Sequence, residues 1–363
     1  MTSAPADRPP TPPTWPGLLM TLLAARDLTT DETRWAMGQV MAGEASPIQL
    51  AGFLVALRAK GETVPEIGGL VDEMLAHAHR ITVPGPTLDI VGTGGDLHRT
   101  VNISTMAAFV AAGAGARVVK HGGRAVSSAS GNVDVLEALG GRVDLPPARV
   151  AEIAEEVGIT FCPAPVFHPA MRHAGPVRKG LAVPTAFNVL GPLTNPAQPA
   201  ASAIGVPDER LAALIAGVLA ARGRDALVFR GHEGLDELAA TGPARLWWVR
   251  DGRVTEHELD PVRDLGLDAV TVADLRGGDA GSNADVARQV LAGSAPAAVR
   301  QTVLLNAAAG LAVQASAVQG SADASDDASL VDRLGAGLAA ATAAIDDGRA
   351  DAVLQRWVAA TQA

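Results

Sequence analysis

The chain has 363 residues, enough for about two domains at ~150 residues each. Apolar residues make up 48% of it and charged residues 19%, so it can bury a sizeable core and is not disordered along its length. Aromatics are only 3%, with no Tyr, so Ala, Gly, Val and Leu must build that core; 29 basic against 39 acidic residues give −10, which disfavours a general nucleic-acid or anionic-membrane binder.

Residues 1–16, with six prolines, read as a disordered tail. The nearest approach to a signal peptide is Leu18 to Ala25, and Arg26-Asp27 closes that apolar run early. No stretch reads as the ~20 apolar residues of a spanning helix. The single cysteine, Cys162, excludes an internal disulfide and a Cys-rich metal site, and the expected compartment is the cytoplasm. Four helices are predicted next. They run over Gly17–Arg26, from Thr29 and Glu32 at capping-box spacing to Gly43, from Ser46-Pro47 to Gly61, and from Thr63 to His77.

From Leu88 the pattern changes. Leu88–Val91 reads as a strand running into Gly92-Thr93-Gly94-Gly95. A helix over Ser104–Ala112, a strand over Arg117–Lys120, helices over Asn132–Leu139 and Pro146–Val157 and a strand over Ile159–Cys162 follow. Ala226–Phe229 is a further strand. Arg245–Val249 and Val254–Leu259 read as a hairpin across Asp251-Gly252, and the last hundred residues as mostly helix. Strands alternating with helices imply a largely parallel sheet with crossover helices.

Four segments can carry chemistry. Gly92-Thr93-Gly94-Gly95-Asp96, closing with Asn102-Ile103-Ser104-Thr105, could aim backbone N–H groups and a helix N-terminus at a phosphate, or could be a plain glycine turn before a capped helix. It fits neither the dinucleotide nor the P-loop spacing. Lys120-His121-Gly122-Gly123-Arg124, followed by Ala125, Val126, Ser127 and Ser128, supplies two fixed cations and hydroxyls suited to a polyanion, or else forms a solvated basic turn. Between His168 and Lys179, Arg172 and Arg178 are candidate carboxylate or phosphate clamps, or members of a solvated face. Asp236-Glu237, beyond the Ala226–Phe229 strand, could hold a hard cation or complement a helix N-terminus. No GxSxG or HExxH motif is present, Cys162 has no neighbouring base, and His77 and His79 point apart on a helix.

Together these segments closely resemble the anthranilate phosphoribosyltransferase family. GTGGD, NIST, KHGGRAVSSASG, DVLEALG, HPAMRHAGPVRKGL, NVLGPLTNP and GLDEL occur in the family's order, over nearly the whole chain. The resemblance implies an α/β protein of the nucleoside-phosphorylase-like phosphoribosyltransferase fold. It would have a small helical domain over residues 17–85, with a returning segment near 176–196, and a larger α/β domain over 86–363 with a central, mostly parallel sheet. It implies transfer of phosphoribosyl from phosphoribosyl pyrophosphate (PRPP) to the amine of anthranilate, with Mg²⁺, two ions, and a homodimer. Carried over by motif, Gly92, Gly95, Asp96, Thr100, Asn102, Ile103, Ser104, Thr105, Lys120, His121, Gly122, Gly123, Arg124, Ala125, Val126, Ser127, Ser128 and Asn132 would line the PRPP site. Ser104, Asp236 and Glu237 would hold the metal, and Gly92, Gly123 and Arg178 would meet anthranilate. An arylamine is neutral at pH 7, so no strong general base is required. Gly123 stands where the family commonly has Asn, Asn132 where Ser is frequent, Leu97 where Gly is common, and Gly180 where an acidic residue is frequent.

A paralogue of the same fold with another aromatic acceptor is the main alternative. A pyrimidine nucleoside phosphorylase lacks support because its KxSTGG-type motif is missing, and a dinucleotide-binding dehydrogenase because the glycine spacing fails.

Overall fold

A computed structural model describes residues 12–124, 130–319 and 328–363. Four helices come first: α1 Trp15–Leu23, α2 Thr30–Ala42, α3 Pro47–Lys60 and α4 Val64–Ala76. Their ends follow local chemistry. Thr29 accepts from the Glu32 N–H while the Glu32 carboxylate accepts from the Thr29 N–H, and Ser46 and Gln49 repeat the exchange. Gly43, at φ 77°, closes α2 in the left-handed conformation.

The α/β portion is built on seven strands. These are β1 Leu88–Gly92, β2 Val118–Gly122, β3 Ile159–Pro163, β4 Ala201–Gly205, β5 Asp225–Arg230, β6 Ala244–Arg250 and β7 Arg253–Leu259. They form one sheet in the order β3-β2-β1-β4-β5-β6-β7. The first five are parallel, and β6 and β7 add antiparallel. The predicted hairpin is present, with Asp251 at φ 51° and Gly252 at φ 71° in its turn. The fold is therefore the expected α/β class with a mostly parallel sheet.

The crossovers and later helices are α5 Ile103–Gly113, α6 Asn132–Ala138, α7 Pro147–Val157, α8 Ala164–Phe167, α9 Gly175–Leu181, α10 Phe187–Leu193, α11 Glu209–Ala221, α12 Pro261–Leu265, α13 Ala280–Leu291, α14 Ala297–Gln319, α15 Leu330–Asp346 and α16 Arg349–Gln362. Strand β4 and helix α11 are among the elements that lay outside the sequence reading. Strand β4, Ala-Ser-Ala-Ile-Gly, has one β-branched residue and little intrinsic strand preference. It is a strand because it fills the sheet between β1 and β5 and is buried throughout. Helix α11 follows it, capped by Asp208.

The membrane expectation needs one correction. Ala297–Val318 is long and apolar enough to cross a bilayer by length and composition. Its burial is that of a core helix, packed on α5, α15 and β4. Two apolar clusters flank the sheet. One joins α5, α13, α14 and α16 to one face. The other joins α1–α4, α10 and α11 to the opposite face through Val91, Ile204, Val228 and Trp247, so the N-terminal helices share their core with the sheet.

Candidate active site

The parallel strands end together at one edge, where the loops after β1, β2 and β5 meet over a cavity of about 770 Å³. The β1 loop turns at Gly94 and Gly95, at φ 70° and 91°, which glycine adopts without a Cβ penalty. The Gly94 N–H donates to Asp236 Oδ2 at 2.7 Å. At Gly92 the approach is so close that a Cβ would stand 2.2 Å from that oxygen, and a Cβ on Gly205 would stand 1.7 Å from the Asp236 carbonyl. Both strand-end glycines thus make room for one carboxylate-bearing residue.

Asp96, Asp236 and Glu237 each place an oxygen within 4.8 Å of the others. Thr100 Oγ1 donates to Glu237 Oε1 at 3.0 Å and the His98 N–H to Asp96 Oδ1 at 3.2 Å. Asp96 Oδ2 and Glu237 Oε2 are buried without a hydrogen-bond partner among the described residues. Burial, then the neighbouring Asp96 charge, pushes the Asp236 carboxyl up to about 7. Burial, with Asp236 and Asp96 beside it, raises Glu237 well above the carboxylate range. Buried carboxylate oxygens with no partner and mutual repulsion are what a hard divalent cation relieves, so the donor set fits Mg²⁺. Sequence reasoning placed Asp96 with the phosphates; the structure groups it with the other two carboxylates. Ser104, the third expected metal residue, lies in the first turn of α5 and accepts from Lys120 Nζ at 3.1 Å. Its hydroxyl keeps a proton and a second lone pair for another partner.

Lys120 is the residue whose position is least foreseeable from the motif. It is 1% exposed, and its ammonium donates to the Ile90 carbonyl as well as to Ser104. Burial lowers it to about 8, opposed by Asp89. Asp89 is itself buried and raised to about 6, chiefly by burial, and accepts from Asn195 Nδ2 at 2.8 Å. His121 Nδ1 bonds the Gly191 carbonyl at 2.9 Å, and its ring lies 5.1 Å from that of His168. Burial lowers the two imidazoles to about 3 and about 4, so both are neutral near pH 7.

Gly122 is held against Asn132, whose amide would stand 2.1 Å from an added Cβ, whereas a Cβ on Gly123 would meet nothing within 4 Å. Arg124 directs its guanidinium to Asp134 and Glu137 on α6, at 2.8 and 2.7 Å. Ala125, Val126, Ser127 and Ser128 lie outside the described residues. Across the cavity, Arg178 on α9 is half-buried, lies 5.1 Å over the Phe187 ring, and has its pKa lowered by burial. No carboxylate pairs with it among the described residues. Arg172 is exposed and donates to the Pro169 carbonyl. Gly92, Gly95, Asp96, Thr100, Asn102, Ile103, Ser104, Lys120, His121, Gly122, Gly123, Arg124, Asn132, Arg178, Asp236 and Glu237 all line this one cavity. Thr105 is fully buried one position further along α5.

Two buried asparagines escaped the sequence reading. Asn306 on α14 grips the backbone beside Glu237, donating to the Leu238 carbonyl at 2.7 Å and accepting its N–H at 3.1 Å. Asn283 on α13 donates to the Asn102 and Ser130 side chains behind the β1 loop. Each sits in an Ala-rich helical stretch with no local signal of its role.

A small helical bundle joined to an α/β sheet, with a glycine loop, a helix N-terminus and an acidic cluster at the strand ends, defines a glycosyl transferase acting on a phosphorylated donor. Residues 16–78 match the family model described as "Glycosyl transferase family, helical bundle domain", and residues 84–351 that described as "Glycosyl transferase family, a/b domain". Anthranilate phosphoribosyltransferase from an Arthrobacter species is 60% identical over 349 residues, 96% of each chain. That from a Nocardioides species is 58% identical over 96% of this chain and 99% of its own. The crystal structure of the Thermus thermophilus enzyme superposes with a TM-score of 0.85 at 40% identity, covering 95% and 99% of the two chains. The Saccharomyces cerevisiae enzyme in complex with PRPP and Mg gives 0.83 at 26% identity, covering 96% and 98%. The chain belongs to the anthranilate phosphoribosyltransferase family.

Proposed function

We propose that this chain transfers the phosphoribosyl group of PRPP to the amine of anthranilate, giving N-(5-phosphoribosyl)anthranilate and pyrophosphate, a step of tryptophan biosynthesis. The observation that carries this reading is the pairing, across one cavity, of the three-carboxylate cluster with a half-buried Arg178 that has no carboxylate partner among the described residues. The cluster suits a metal-bound diphosphate; the guanidinium fork suits an aromatic carboxylate.

Asp96, Asp236 and Glu237, with Ser104, would hold Mg²⁺. Three carboxylates facing a pyrophosphate of like sign are best balanced by two ions. When bound, the metal supplies positive charge to the pyrophosphate as the glycosidic bond weakens. Gly92, Gly95, Thr100, Asn102, Ile103, Ser104 and Thr105 would bring N–H and hydroxyl donors to the donor substrate at the α5 N-terminus. Lys120 supports Ser104 from below, and Arg124 anchors the start of the following loop to α6. Arg178 would orient anthranilate so that its neutral amine meets the ribose carbon, with Gly92 and Gly123 leaving space for the ring. Positioning and charge stabilisation then supply the rate, and no side chain need take a proton before attack.

The helical unit, 17–85 with 176–196, would carry Arg178 towards the α/β unit. A homodimer is supported by the exposed apolar residues Met20, Leu23, Ile48 and Val55 on α1 and α3. A cytoplasmic setting is supported by the lone buried thiol Cys162. Pyrophosphate release from PRPP, assayed with and without anthranilate and Mg²⁺, tests the function. Release that requires both is expected; release without anthranilate, or none, refutes it.

A further inference from the structure

Asn283 lies in the first turn of α13, 153 residues from Ser130 and 181 from Asn102 in sequence, and is 2% exposed. Its Nδ2 donates to Asn102 Oδ1 at 2.8 Å and to Ser130 Oγ at 2.9 Å, while its Oδ1 accepts the Gly278 N–H at 2.8 Å. A buried amide with every one of these groups matched is costly to disturb and specifies one geometry. Asn102 receives a second bond on Oδ1 from Ser130 Oγ at 3.2 Å, and its Nδ2 donates to the Ser130 carbonyl at 3.4 Å.

The orientation of the Asn102 amide follows. An oxygen that accepts from two donors must face Asn283, so the nitrogen faces away. One Nδ2–H of Asn102 is left without a protein partner among the described residues, on a side chain that lines the cavity. Asn102 is also the N-cap residue of α5 but makes no side-chain bond to the helix, so its amide is free for this other geometry. The chain leading to Asn283 braces the same loop. The Val101 N–H donates to the Leu275 carbonyl at 2.9 Å and the Gly277 N–H to the Arg99 carbonyl at 2.8 Å. A Cβ on Gly277 would stand 2.8 Å from the Thr100 carbonyl and 2.9 Å from Asn283 Oδ1, so the two strands of chain are in direct contact.

Building on the proposed function, we propose that Asn283 is a positioning residue for the phosphorylated donor: it locks the Asn102 amide so that an N–H, not an oxygen, faces the anion, and it ties the β1 loop to the end of the β2 loop at Ser130. An anion demands donors; the opposite amide orientation would aim a partial negative charge at a phosphate oxygen.

Steady-state kinetics of Asn283→Ala, Asn102→Ala and the double variant test this. Misplacing one donor to an ionised phosphate should raise the KM for PRPP about tenfold in Asn283→Ala. The KM for anthranilate should stay within about twofold, since Arg178 stands apart from this network. In the Asn102→Ala background the further change should be under about twofold, because Asn283 acts through Asn102. Asn283→Asp keeps the side-chain volume and an oxygen for the Gly278 N–H but removes both donors. The Asn102 amide must then turn, and the KM for PRPP should rise more than in the alanine variant; this variant decides the matter if Asn283→Ala does not fold. Equal factors in both backgrounds, or an equal rise for both substrates, overturn the inference in favour of a structural role. A folded variant with unchanged KM for PRPP overturns it outright. Wild-type protein that releases no pyrophosphate with anthranilate overturns the proposed function instead, so the two failures are distinguishable.

Discussion

Gly92→Ala adds a single methyl group at the point where the sheet meets the acidic cluster. Gly92 is not in a left-handed conformation, so the substitution adds no backbone strain. The Cβ would stand 2.2 Å from Asp236 Oδ2 and 3.0 Å from its Cγ, where ordinary contact begins near 3.4 Å. The carboxylate must therefore withdraw by about 1 Å, a displacement that at a reacting centre can cost about 10²-fold in rate. It cannot withdraw freely, because Gly94 holds the same oxygen at 2.7 Å. Overpacking of this kind costs about 1–3 kcal/mol, so the protein should remain folded with Tm lowered by several degrees. Initial rates of pyrophosphate release over a range of Mg²⁺ concentrations read the effect. kcat/KM for PRPP should fall about 10²-fold, with a higher Mg²⁺ half-saturation, and the change in Mg²⁺ dependence separates displacement of Asp236 from any crowding of the anthranilate ring. Gly123→Ala is the control, since its Cβ meets nothing within 4 Å and should leave the metal dependence unchanged. A folded Gly92→Ala protein with wild-type kcat/KM at limiting Mg²⁺ would refute the assignment of Asp236 to the metal.

Arg178→Ala should raise the KM for anthranilate about 30-fold or more, from the loss of ~2–3 kcal/mol of charge-assisted bonding, with little change for PRPP; equal effects on both would make Arg178 structural. Lysine should not restore it, because the planar fork is lost. Gly123→Asn, into open space, should lower the KM for anthranilate a few-fold through one regained hydrogen bond of about 0.5–1.5 kcal/mol, and flat kinetics over a panel of ring-substituted anthranilates would remove position 123 from the acceptor site. Because Asp236 is raised to about 7 and Glu237 is raised as well, metal must displace protons from the cluster; the Mg²⁺ half-saturation should fall as pH rises from 6 through 7, and a pH-independent value would count against the cluster. The same raised pKa means that the metal-free fold holds a proton the unfolded chain releases near pH 4. Its stability should therefore decline as pH rises from about 4 to 7, and Mg²⁺ should reverse the loss in a thermal melt.

Much of this protein is written locally. Thr29 with Glu32, and Ser46 with Gln49, encode helix starts because a capping box needs only residues three apart. Asp251-Gly252 encodes its hairpin because only a turn with positive φ joins two strands so tightly. The glycine loop, the Lys120–Arg124 run and the Asp236-Glu237 pair are legible for the same reason: each is a short string of chemistry after a strand. Other features depend on the sheet. Strand β4 has no strand signature of its own and exists because β1 and β5 need a partner between them. Asp96 joins Asp236 and Glu237 only because β1 and β5 flank β4 in parallel and end at one edge, an arrangement fixed by strand order. Lys120 turns inward to Ile90 and Ser104 rather than outward, and Asn283 and Asn306 reach the site from helices that are distant in sequence. Those positions follow from a rule that acts only in the folded state: a buried polar group must find its partner, wherever along the chain that partner lies.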